Sequence, residues 1–176
     1  MDIKEFQERY SAGERNFPEI DLTGADLSET DLSHVNLTNA TLTGANLKGT
    51  RFHGANLSGA DLSGVDLSSA TLSAVSLYET NLRGANLSQA QLALASVQNA
   101  DLTGANLSQA NLVQADLSGA NLTDANLTGV DLSEALVQGT DLTGATLERA
   151  DLSTAVMQEE VVMTGTIMPD GSQNSA

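Results

Sequence analysis

The chain has 176 residues, a formal net charge of −16 and an isoelectric point near 4.1. That balance excludes direct docking on nucleic acid phosphates, which depends on Lys and Arg displacing counterions, and points instead to cationic or nucleic-acid-binding protein partners. Three per cent aromatic residues, no Trp and no Cys exclude a bulky globular core, disulfides and thiolate metal sites.

In chain order, the first element is a short helix. Ile3, Phe6 and Tyr10 fall at helical spacing, Asp2 is placed to cap the start and Gly13 to stop the end. Residues 1–16 are expected to form this capping helix and its lead-in. The opening Met1-Asp2-Ile3-Lys4-Glu5 lacks the basic region and apolar run of a signal peptide. No stretch approaches the ~20 apolar residues of a membrane helix, so a cytoplasmic protein without membrane contact is expected.

From Phe17 through Leu22 and Leu27 to Leu152, every fifth residue is large and apolar, and nothing interrupts the register. The residue two places earlier is small, the one just before is mostly Asp or Asn, and Ser, Thr and Gly fill the rest. A helix advances about 100° per residue, so positions five apart drift around its surface and make no apolar stripe. In an extended chain Ala25 and Leu27 point the same way, but the next residue in step is Glu29, and the small-plus-Leu pair resumes at Thr30 and Leu32. The backbone must therefore bend once per repeat. Four bends of about 90° close a square coil, and successive coils pair at about 4.8 Å. The expectation is an all-β solenoid over residues 17–157, a parallel β-helix of about seven coils. Leu27, Leu47, Leu87 and Leu107 are its expected core.

Ala25-Asp26-Leu27-Ser28, Ala45-Asn46-Leu47-Lys48-Gly49 and Ala105-Asn106-Leu107-Ser108 resemble the pentapeptide repeat proteins, in the Ala/Leu-rich form found in cyanobacteria. The resemblance covers about Phe17 to Met157. It implies a right-handed quadrilateral β-helix and a function among diverse binding roles, including regulation of differentiation and protection of gyrase by imitating a DNA duplex.

Read at the coil period, the surface resolves into columns. One corner runs Gly24, Gly44, Gly64, Gly84, Gly104, Asp124, Gly144, while the next runs Glu29, Gly49, Ser69, Gln89, Gln109, Gly129, Arg149. This contrast predicts a positive φ at the first corner. On the same face the residue before Leu runs Asp21, Thr41, Asp61, Asn81, Asp101, Asn121, Asp141, acids alternating with neutral residues. Alternation spares like charges from stacking within a Debye length, and Asp21, Asp61, Asp101 and Asp141 are also the candidate duplex-mimic face. Lys48, Arg51 and His53 form the one local basic cluster, a candidate anion or metabolite site that Asp31 partly neutralises. His34 and His53 lack partners for metal ligation, and no metal or cofactor is expected. Ala74, Ala93, Leu94 and Val113 stand where polar residues are usual and make a candidate partner surface, with Tyr78 and Leu136 outward on the neighbouring face.

Beyond Leu152 the pattern decays. Val156, Met157, Val161, Val162, Met163, Ile167 and Met168 are apolar, Glu160 stands at a small-residue position, and Pro169-Asp170-Gly171 ends the order. Residues 158–168 are expected as a degenerate final coil or cap and 169–176 as a disordered tail. Glu159 and Glu160 favour self-capping and a monomer over an end-to-end dimer, since buried paired acids are costly. With neither a phosphate loop nor a Ser/His/Asp set, the chain reads as a non-catalytic acidic scaffold for protein–protein interaction. A duplex mimic acting on a topoisomerase, or an anion binder, are the alternatives.

Overall fold

A computed structural model describes residues 1–158 and 160–174. It is a right-handed quadrilateral β-helix preceded by a single helix, α1 (Ile3–Ser11). The four faces are named by their first rungs: the first from Asp21, the second from Asp26, the third from Asp31, the fourth from Asn16 and Asn36. Asp21 bridges Thr41, Asp26 bridges Asn46, Asp31 bridges Arg51 and Asn36 bridges Asn56, all parallel and all 20 residues apart. Away from the ends the inward columns are enclosed: Leu27, Leu47 and Leu87 are 0% exposed and Leu107 1%, with Ala85 and Ala105 packed beside them.

Each position of the repeat has a hydrogen-bonding reason, which the repeat from Asp61 to Val65 makes explicit. The Asp61 N–H donates down to Ala40 O (2.9 Å), while those of Leu62 and Gly64 donate up to Asn81 O (2.8 Å) and Arg83 O (2.9 Å). The Val65 N–H closes the turn on Leu62 O (3.3 Å), and the Ser63 N–H, which has no place in the ladder, donates to the Asp61 carboxylate (3.1 Å). All five amide donors are thereby satisfied. The Asp or Asn before each Leu is an Asx-turn acceptor. Where Thr replaces the inward Ala, its hydroxyl is used as well: Thr50, Thr80, Thr140 and Thr166 donate to the carbonyls of Leu27, Leu57, Leu117 and Leu142.

The corners correct one expectation. Positive φ is not confined to the corner that carries Gly24. On the second face Glu29 has φ 56° and Arg149 61°, on the third His34 has 60° and Leu94 61°, and on the fourth Asn39 has 56° and Glu79 54°. The chain turns after every repeat, so all four corners need the same backbone. A Cβ at Gly24, Gly64 or Gly104 would meet nothing within 4 Å, and in that column only Gly144 has a packing reason, since a Cβ there would strike the Asp124 carboxylate.

The ends differ. Asp2 caps α1 by accepting from Glu5 N (2.8 Å), and Gly13 follows the helix with φ 98°. Phe6, fully buried, sets its ring edge-on to Phe17 at 4.7 Å, and the Tyr10 hydroxyl donates to Ser33 O (2.9 Å), so α1 lies over the first coil. At the other end the ladder slips by one residue: Asp141 pairs with Val162 and Thr146 with Ile167. The slip corrects the placement of Glu160, which stands exposed at a corner with φ 58° while partly buried Val161 packs against the core. An inward carboxylate would lose its hydration without a partner, and the extra residue avoids that. Glu159 lies outside the described residues.

Residues 169–174, expected as a disordered tail, also fold. Pro169 and Asp170 turn the chain, Asp170 accepts from Ser172 N (2.9 Å), and Gln173 pairs antiparallel with Ile167. Asn174 N donates to Thr166 O (2.8 Å) and Gly165 N to Asn174 O (2.8 Å). Pro-Asp-Gly is turn chemistry as well as a stop, and here it starts a hairpin that runs against the parallel stack and closes part of its edge. The last two residues of the expected tail, 175–176, lie outside the described residues.

Candidate interaction surface

The candidate acids stand in one column of the first face. Asp21 is exposed; Asp61, Asp101 and Asp141 are half-buried. Their carboxylates are already at work in the fold: they accept from Thr23 N (3.0 Å), Ser63 N (3.1 Å), Thr103 N (3.0 Å) and Thr143 N (2.9 Å). Asn81 reaches down to Asp61 (2.9 Å), so at that step the acid and the amide above it also pair as acceptor and donor. Arg83 neutralises Asp101 at 3.0 Å.

These bonds hold several carboxyls below the ordinary Asp range. For Asp21, Asp26 and Asp31 the side-chain hydroxyl two residues on leads, followed by its backbone N–H. For Asp66 and Asp101 partial burial pushes upward, but hydrogen bonds and the charges of Lys48 and Arg83 prevail and the net shift is downward. Because the acceptor oxygen and not the charge makes the turn, Asp61→Asn is expected to leave the melting temperature within a degree or so. Asp61→Ala orphans the Ser63 N–H and should lower stability by about 1 kcal/mol. Denaturant titration of the two variants checks this, and equal losses in both would overturn the turn role.

The basic cluster does not converge. Lys48 lies on the second face, where its charge acts on Asp66, whereas Arg51 and His53 lie on the third. Arg51 is paired with Asp31 at 3.4 Å, and the His53 ring sits edge-on to His34 at 5.6 Å. Three surface recesses lie among the described residues, the smallest, about 320 Å³, beside the start of α1 with Asp2 and Asp21 in its wall. Another of about 450 Å³ beside α1 includes Tyr10, Arg15 and Asp31, and the largest of the three, about 570 Å³, includes Ser118, Gln138 and Glu160. None of their described lining residues is a His, and the two carboxylates of the smallest, Asp2 and Asp21, already accept from the amides of Glu5 and Thr23.

The apolar candidates gather on the third face. Leu94 is 60% exposed and Ala74, one rung below it in the same corner column, is also exposed. Ala93 and Val113, half-buried, stack in the adjoining column. Tyr78 and Leu136 stand apart on the fourth face, 42% and 38% exposed. Around Leu94 the rod is almost uncharged: between Arg83 and Asp116 the single charged residue is Asp101. Reading columns for unusual residues did not reveal this belt, although a count of charge per coil finds it.

A straight four-faced parallel solenoid, with its surface made of turn acceptors, defines the class: a repeat scaffold. The pattern described as Pentapeptide repeats matches in eight copies, over residues 20–59, 50–89, 60–99, 100–139 and 120–159. The chain belongs to the pentapeptide repeat family. It is 33% identical to HetL, a pentapeptide repeat protein involved in heterocyst differentiation regulation from the cyanobacterium Nostoc sp. strain PCC 7120, covering 99% of this chain and 100% of that one, with a TM-score of 0.43. A trypsin-treated variant of QnrB1, a plasmid-mediated fluoroquinolone resistance protein, gives a TM-score of 0.61 at 26% identity, covering 84% and 72% of the two chains. Rfr23 from the cyanobacterium Cyanothece 51142 gives 0.51 at 27% identity, covering 89% and 100%. A search of curated proteins gives no match. No helix among the described residues is long and apolar enough to cross a membrane.

Proposed function

We propose that this protein is a non-catalytic acidic scaffold of the cytoplasm that binds a protein partner through the third face, at Ala74, Ala93, Leu94 and Val113. The observation that carries this reading is Leu94 itself. It holds φ 61° while 60% exposed, at a corner where other rungs have Gly54, Gln114 or Glu134. Left-handed backbone is unfavourable for a bulky side chain, and exposure forfeits the burial that would offset it. A leucine there gains the fold nothing, which is the signature of a residue kept for contact. Binding rather than catalysis is supported by recesses whose described lining holds no His and whose one carboxylate pair, Asp2 and Asp21, is engaged by the Glu5 and Thr23 amides.

A second reading has its own support. The 0.61 likeness to a fluoroquinolone resistance protein, with carboxylates on alternate rungs of the first face, fits a duplex mimic that occupies a topoisomerase. One experiment separates the two: affinity capture from the source cell with the wild-type rod, with Leu94→Glu, and with Asp61, Asp101 and Asp141 all changed to Asn. Loss of a captured protein with Leu94→Glu alone supports the third face. Loss with the triple variant, together with inhibition of gyrase supercoiling at near-stoichiometric protein, supports mimicry. A partner retained by both variants would overturn both surfaces.

A further inference from the structure

We propose that the third face is a self-association surface, on which a second copy of this chain docks antiparallel about a two-fold axis passing through the rung of Leu94. The inference rests on the reading of that face as the partner-binding one and names its partner.

The first support is charge. Two rods of net charge −16 repel along most of their length. On the third face three successive rungs carry no charge: Thr71, Ser73 and Ala74; Gln91, Ala93 and Leu94; Asn111, Val113 and Gln114. The second face shares the neutral rungs but offers Asn86, Gln89, Asn106 and Gln109, with no apolar anchor. Only the third face combines neutrality with exposed apolar side chains.

The second support is symmetry. The rungs of this face begin at Asp31, Arg51, Thr71, Gln91, Asn111, Asp131 and Asp151, so the Leu94 rung is the middle one. A two-fold axis lying across the rod at that rung opposes residues of one column that are equally far above and below it. Leu94 then meets Leu94 and Ala93 meets Ala93, while Ser73 meets Val113. Arg51, the one cation on the face, meets Asp131, the first acid beyond the neutral rungs on the other side. The Glu134 carboxylate, which in the free rod accepts from Gln114 (2.8 Å), comes opposite Gly54, where the His34 ring, edge-on to His53, lies over the glycine. The off-axis pairs each form twice, and the self-pairs of Leu94 and Ala93 once.

One opposition is unfavourable, Asp31 against Asp151. It falls at the ends of the contact, where Asp31 already has Arg51 at 3.4 Å and salt screens the remainder. A strip of a few rungs at about 4.8 Å each is smaller than the ~800 Å² per partner of a standard stable complex, so the association is weak and concentration-dependent.

The absence of cysteine makes the test clean. Leu94→Cys places a lone thiol at the axis, and copper phenanthroline with dissolved oxygen should couple two chains through a disulfide. Gln109→Cys on the second face and Tyr78→Cys on the fourth should couple far more slowly. In sedimentation velocity up to ~1 mM, the wild type should gain mass with concentration, and Leu94→Glu should stay monomeric. Glutamate is compatible with that corner, since Glu29, Glu79 and Glu134 hold the same backbone. Arg51→Asp and Asp131→Arg should each weaken association on the order of tenfold, and the double variant should recover it. A wild type that remains monomeric throughout, or equal coupling at Gln109→Cys, overturns the proposal. If self-association fails while Leu94→Glu still loses a captured protein, the second copy is wrong and the face reading survives.

Discussion

Replacing Leu87 by Ala is expected to lower the free energy of unfolding by about 2–5 kcal/mol, and Leu87→Asp to abolish the cooperative fold. Leu87 is 0% exposed at the middle of the rod, with Leu67 and Leu107 stacked below and above it in the same column. Its N–H bonds Asn106 O at 2.7 Å, so the backbone is pinned to the coil above and has little freedom to collapse into the space a truncation leaves. A solenoid passes stability from neighbour to neighbour, and a central defect uncouples the two halves where a terminal one only frays. Ala85→Leu tests the same interior from the other side. Ala85 is also 0% exposed, and extra methylenes there should destabilise by about 1–3 kcal/mol through overpacking. Urea unfolding followed by circular dichroism measures both, with a broadened transition expected for Leu87→Ala. A native melting temperature for Leu87→Asp would refute the inward assignment.

Phe6→Ala is expected to cost about 3–5 kcal/mol, out of proportion to a residue so near the terminus. An isolated helix of nine residues is too short to persist in water, so α1 exists because its apolar side is docked. Phe6 supplies that dock: it is fully buried, 4.7 Å from Phe17 and 6.2 Å from Tyr10 between ring centroids. The surrounding bonds, Arg9 to Glu14 at 2.6 Å and the Arg15 guanidinium 3.9 Å from the Tyr10 ring centroid, lie at the surface and contribute little without it. Losing the lid bares the edge of the first coil, a template for another chain. Calorimetry should show the lower transition, and light scattering should show association beyond that of the wild type at the same concentration. An unchanged transition in Phe6→Ala would mean that α1 is an ornament and not a lid.

Two places illustrate how the repeat can mislead. Counting in fives puts Glu160 indoors, because a fixed period has no means of showing that one residue has been inserted after Val156. The structure shows the slip through Asp141 pairing with Val162. Comparing two corner columns singled out glycine as the mark of positive φ, yet Leu94 and Arg149 hold the same backbone at 61°. Composition reports which residue relieves strain most easily, not where strain occurs. The acidic column shows the reverse problem: charge alone accounts for its alternation, whereas Asp61 and Asp101 hold the amides of Ser63 and Thr103. An Asp or Asn two residues before Ser or Thr is the signal that would have revealed it.

The amino-acid sequence by itself determined the square coil, its inward Leu and Ala columns, the capping helix and the family. A five-residue period admits one way of burying every Leu, and burial dominates the energy of folding. Tertiary structure alone decided what the remaining positions do. That Asn81 reaches Asp61, where the final coil slips and that Arg51 rests on Asp31 all depend on chain segments meeting across coils. Such contacts are set by distances of a few ångströms between residues about twenty apart, which no local pattern encodes.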